Sequence, residues 1–147
     1  MQNRAAYTRT STAFAVFNTS ASVAKMVKKG LRAHIGAHGE APLGVIYHEE
    51  MFFTAAGGLD NFEVLRAATS DAAITLGIDS SIGSITEGKL ADFLVYPPGV
   101  NLLTDDIRAT RNLKYVVRGG RVWDADTMVE EWPVKGRKAV MPIINAD

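Results

Sequence analysis

The sequence predicts an α/β fold that gives way to a small antiparallel β region. Three observations carry this. A helix period, a glycine and a period-two strand follow one another over residues 20–37. Two more helical stretches follow, closed by Gly57-Gly58 and Gly77. From residue 88 onward the apolar runs are short and punctuated by glycine, with a Gly119-Gly120 pair suited to a hairpin.

The elements follow in order. Met1 to Ala21 mixes Thr, Ser and Ala, and its apolar patch Ala13 to Phe17 is too short for a signal-peptide core. It reads as a ragged start. Ser20 to Lys29 places Val23, Met26 and Val27 on one helix face, with Lys25, Lys28 and Lys29 in the last turn and Gly30 just beyond. Leu31 to Ala37 alternates, with Leu31, Ala33, Ile35 and Ala37 on one side, and reads as a strand. A helix running into a strand hints at a parallel sheet. Val45 to Ala56 reads as a helix. Asp60 caps the next one, with Glu63 as its capping-box partner. Phe62, Leu65, Ala68, Ala72 and Leu76 form its expected buried stripe. Ala91 to Tyr96 reads as a strand, and Leu113 to Arg118 pairs with Arg121 to Trp123. The last 20 or so residues, with Pro133 and Pro142, read as an extended tail.

Composition narrows the classes. The 147 residues are 47% hydrophobic and 22% charged, with sixteen basic and sixteen acidic side chains. A chain this long folds to roughly 7,300 Å² of surface, so a real core is affordable. No basic excess points to nucleic acid or an anionic membrane. No run of 18 apolar residues predicts a membrane span. The absence of cysteine excludes disulfides, thiolate metal sites and thiol nucleophiles.

Three stretches carry a resemblance. One is Gly36-Ala37-His38-Gly39-Glu40, with Leu43-Gly44 and His48-Glu49. The second is Gly57-Gly58-Leu59, then Leu65-Arg66-Ala67-Ala68-Thr69 and Leu76-Gly77. The third is Ile82-Gly83-Ser84-Ile85, then Gly88-Lys89-Leu90-Ala91-Asp92-Phe93-Leu94-Val95 and Val116 to Val122. Together they resemble the C-terminal end of a metal-dependent amidohydrolase, over roughly residues 19–133. The nearest subgroup is the imidazolonepropionase- and prolidase-like enzymes, including those fused to a Tol-type propeller.

The resemblance implies terminal β/α elements of an incomplete TIM-type (β/α)8 barrel, followed by antiparallel strands of a composite β-sandwich. Residues 1–18 are then a ragged N-terminal segment, 19–87 the end of the barrel with Leu31–Ala37 as strand eight, and 88–147 sandwich strands and tail. It also implies a hydrolase of carbon–nitrogen bonds, on a non-peptide amide or a dipeptide-like substrate. A divalent metal, zinc by expectation, activates water in such enzymes. The family's ligand after strand eight is an Asp, and His38 stands there in this chain. Neutral imidazole binds zinc, so His38 is the candidate metal ligand and catalytic residue. The alternative is a structural polar residue at a strand end. His34 is four residues back, about 13 Å away on an extended chain, too far to share a metal with His38. Glu40 and His48 are candidate substrate contacts. Glu40 reads alternatively as a solvated loop charge, and His48-Glu49 lacks the second histidine of a zinc helix motif. Arg66, Thr69, Lys89 and Asp92 read as structural.

Only three histidines are present and no His-x-His pair, so one copy does not supply the family's ligand set. Beside the enzyme reading stand an inactive module that folds by self-association and a β-sandwich binding module. The expected partners are a small-molecule substrate and a second copy of the chain, because barrel-shaped apolar faces and open strand edges need cover. The chain as given is expected in the cytoplasm, with export expected only of a longer parent.

Overall fold

The computed structural model describes residues 15–37 and 44–138. Helix α1 spans Ala15–Lys28, α2 Val45–Ala56, α3 Asn61–Ala68 and α4 Ser70–Leu76. Strands β1 (Phe93–Val95), β2 (Tyr115–Arg118), β3 (Arg121–Asp124) and β4 (Glu130–Trp132) follow, with a 3₁₀ helix at Ile107–Arg111 between β1 and β2.

Helix α1 starts five residues ahead of the predicted Ser20 and ends where the lysines and Gly30 place its end. Gly30 has φ +92°, and the N–H groups of Gly30 and Leu31 bond back to Val27 and Met26. This is the left-handed glycine stop that satisfies orphan carbonyls. Gly77 closes α4 in the same way, with Ile78 N–H bonded to the Ala73 carbonyl.

The capping box on α3 forms as read. Asp60 accepts from Glu63 N–H at 2.8 Å and Glu63 accepts from Asp60 N–H at 3.0 Å. The predicted single helix breaks at Thr69, whose φ/ψ of −132°/−90° is not helical. Its hydroxyl bonds back to the Leu65 carbonyl at 2.6 Å. The loop at Gly83 presses into this break, where an added Cβ would sit 2.6 Å from the Ala73 Cβ. Gly83 is therefore required by close approach as well as by its φ of +89°.

The core joins Ala24 of α1, Ile35, Met51 of α2, Leu59, Val64 and Ala67 of α3, and Ile107 of the 3₁₀ helix. Helices α1 and α2 approach closely at Gly57, where an added Cβ would lie 2.7 Å from the Ser20 Cβ. The predicted stripe on α3 and α4 is corrected. Val64, Ala67, Asp71 and Ala73 are the buried positions, while Phe62 is 58% and Leu76 71% exposed.

Leu31–Ala37 is also corrected. It joins no sheet among the described residues; Leu31 N–H bonds back to Met26 at the helix end, and Ile35 N–H bonds the Ala67 carbonyl at 3.0 Å. Ile35 is buried and Ala33 half-buried, so part of the alternation survives. A strand needs partner strands to satisfy its backbone, and the described residues supply none beside it.

The sheet has the order β1-β2-β3-β4, antiparallel throughout. Gly119 and Gly120, with φ +56° and +76°, make the predicted hairpin turn between β2 and β3. Part of the predicted tail is instead ordered. Glu130–Trp132 is β4, and Val129 bridges to Lys138. The reason is a charge cluster unseen in the sequence. Glu130, fully buried, accepts from Arg121 Nη2 at 2.7 Å and from Arg137 Nη2 at 3.0 Å. The described residues form one sheet, not a two-sheet sandwich.

Candidate functional site

The approach to the predicted site is pinned firmly. Ile35 sits in the core, and Arg32 Nε lies 3.9 Å from Asp71, which also accepts from Arg66 Nη2 at 2.9 Å. Asp71 is buried, so α4 holds the segment that leads to His38. His38 and Glu40 themselves lie outside the described residues. Asp71 was missed in the sequence, and the only available signal was its place five residues after Arg66.

His48 lies in the first turns of α2. Its Nδ1 is 3.0 Å from Thr110 Oγ1 on the 3₁₀ helix. Thr110 is buried, and its carbonyl accepts from the Tyr96 hydroxyl at 3.3 Å. The Arg111 guanidinium stacks 4.7 Å over the Phe52 ring and reaches Glu49 at 3.7 Å. Burial first, and the Arg111 charge second, hold the His48 pKa below the usual histidine range. The imidazole is therefore neutral at pH 7, with Nδ1 engaged. Sequence spacing hides this pair, since 62 residues separate its members.

Arg66, Thr69, Lys89 and Asp92 take the structural roles read for them. Lys89 Nζ bonds Ser84 Oγ at 2.7 Å, and Asp92 accepts from Gly119 N–H at 2.6 Å, tying β1 to the hairpin. Among the described residues no three His, Asp or Glu side chains converge as metal ligands. With no such group gathered around His34 or His48, the described donor set does not fit a metal on its own. No helix among the described residues is long and apolar enough to cross a membrane.

A groove of about 660 Å³ opens between α3–α4 and the β1–β2 side of the sheet. Leu65, Ala68, Ala72 and Leu76 line one wall; Phe93, Leu94 and Val116 line the other. The stripe that the sequence suggested for the core thus lines this groove instead. The 3₁₀ helix packs on α2.

The sequence profile of the Amidohydrolase family matches residues 16–123. The chain belongs to the amidohydrolase family. Two solved structures share its fold. One is a Xaa-Pro dipeptidase with methionine bound in its active site: TM-score 0.63, 24% identity, covering 74% of this chain and 25% of that one. The other is an amidohydrolase: TM-score 0.58, 25% identity, covering 71% of this chain and 25% of that one. The chain thus spans about a quarter of the length of these structures. No curated protein matches it significantly.

Proposed function

We propose that this chain forms the C-terminal part of a metal-dependent hydrolase that cleaves a carbon–nitrogen bond in a non-peptide amide or a dipeptide-like substrate. The family match over residues 16–123 is the observation that carries it. The likeness to a Xaa-Pro dipeptidase favours the dipeptide-like class. In this reading Leu31–Ala37, without a partner strand among the described residues, pairs as the last strand of a (β/α)8 barrel only beside the other barrel strands. His38 follows it, as ligand to a divalent metal or as the group that handles the proton of the attacking water, and Glu40 contacts substrate. His48, neutral and fixed through Nδ1, offers Nε2 to a substrate polar group. One copy carries three histidines and no His-x-His pair, so the polypeptide alone is expected to be inactive.

A second reading is a non-catalytic module that folds by self-association. It is favoured by the open apolar groove.

The test is metal content by mass spectrometry on the purified chain beside its His38→Ala variant. Near-stoichiometric zinc or another divalent metal, lost in the variant, supports the metal role of His38. No metal in either protein removes that role from this polypeptide and leaves the second reading.

A further inference from the structure

We infer that Thr110 is a positioning residue: it holds His48 as the tautomer that carries its proton on Nε2, so that His48 meets a substrate oxygen as an N–H donor. The inference deepens the function proposed above and rests on it for the substrate. The tautomer itself is a property of this chain.

A neutral imidazole donates from one nitrogen and accepts at the other, and the bond made by one decides the role of the other. His48 Nδ1 lies 3.0 Å from Thr110 Oγ1. Either atom can donate across this contact, so the surroundings of the hydroxyl decide. Thr110 is 1% exposed, which puts its hydroxyl out of reach of bulk solvent. Among the described residues His48 Nδ1 is the partner of that hydroxyl, while Tyr96 bonds the Thr110 carbonyl at 3.3 Å. A proton on Nδ1 would make the hydroxyl an acceptor and strand its own buried proton, which is unfavourable. A bare Nδ1 takes that proton and satisfies both groups. The ring proton then sits on Nε2.

The frame around the contact is fixed. Ile107 of the same 3₁₀ helix sits in the core, and Arg111 stacks 4.7 Å over Phe52, one turn beyond His48 on α2. Burial first and the Arg111 charge second disfavour the imidazolium, so the working form of the ring is the neutral one, where the tautomer matters.

The nitrogen that the proposed function offers to substrate is thus a donor. The group it meets is a carbonyl or carboxylate oxygen, and a protonated amine, itself a donor, is refused. In a dipeptide-like substrate this selects the amide oxygen or the terminal carboxylate over the amino end.

The test is NMR correlation of the ring nitrogens with the carbon-bound ring protons, on the ¹⁵N-labelled chain at about pH 8, where histidine is neutral. Neither metal nor substrate is added. His34 is exposed and serves as the unconstrained reference in the same spectrum. The expected ratio of Nε2–H to Nδ1–H at His48 is at least about fivefold that at His34, the low end of what a stranded buried hydroxyl implies. Thr110→Val removes the hydroxyl and is expected to return His48 to the His34 ratio. Thr110→Ser keeps the hydroxyl and is expected to keep the wild-type ratio. A wild-type ratio at His48 no higher than at His34 overturns the inference, and that comparison needs no variant to fold. A Thr110→Val ratio equal to wild type, or a Thr110→Ser ratio as low as that of Thr110→Val, takes the role from the hydroxyl and overturns it too. None of these results bears on the carbon–nitrogen hydrolase reading, which is decided by metal content.

Discussion

Replacing Glu130 by Gln removes one negative charge and almost no volume. The carboxylate is fully buried and meets two guanidinium groups, at 2.7 Å from Arg121 Nη2 and 3.0 Å from Arg137 Nη2. In the variant, one amide oxygen faces two cations and the amide NH₂ points a donor at donors. Breaking a buried pair by removing one partner costs about 3–5 kcal/mol. The two arginines are 43% and 48% exposed, so both rehydrate in part, which sets the expected loss near about 3 kcal/mol. In a chain of this size that lowers Tm by roughly 6–12 °C. Trp123 and Trp132 lie on β3 and β4, so tryptophan fluorescence in a urea titration reports the strands concerned. Lys135→Gln is the control. Its 3.8 Å contact to Glu131 is a surface pair, worth less than about 1 kcal/mol. A Glu130→Gln loss no larger than that of the control would refute the assignment of the β4 fold-back to this cluster.

Other outcomes follow from the same geometry. Asp60→Ala removes the capping box of α3 and is expected to cost about 1 kcal/mol in chemical denaturation. Gly83→Ala sets a Cβ 2.6 Å from that of Ala73 at φ +89°, and overpacking of this kind costs about 1–3 kcal/mol, again read by denaturation. His48 titrates below its ordinary value in the folded chain, so below pH 6.5 the unfolded chain binds more protons. Its contribution is complete above that pH and is lost as pH falls toward the folded pKa. His48→Gln is therefore expected to flatten the pH dependence of stability in that window, measured as urea midpoints from pH 7.5 to 5.

What the sequence revealed was local. The Asp60–Glu63 box, the glycine stops at Gly30 and Gly77, and the Gly119-Gly120 hairpin are each written within six residues, and all formed. What it concealed depends on distant partners. Leu31–Ala37 alternates like a strand, but a ladder needs neighbours and the described residues offer none there. The Phe62–Leu76 stripe has helical spacing, yet Leu65, Ala68, Ala72 and Leu76, from both sides of the Thr69 break, line the groove, and Phe62 is exposed. The Glu130 cluster joins residues seven and nine apart on bent chain, and polar residues near two prolines read as a tail. Of the candidate site, His48 acquired a partner no spacing could disclose, and His38 and Glu40 lie outside the described residues.

Thr110 connects two parts of the fold. Its hydroxyl is held by His48 from the helical side, and its carbonyl by Tyr96 from the end of β1. Thr110 works beside Ile107 in the core, Arg111 against Phe52 and Glu49, and Asn61 bonded to the Leu102 and Asp105 carbonyls, so the segment between β1 and β2 is moored to the helices at several points. Losing one mooring leaves the others in place. Thr110→Val removes the hydroxyl that meets His48 and keeps the carbonyl that meets Tyr96, and is therefore expected to speed amide exchange in the 3₁₀ helix with α2 and α3 still protected.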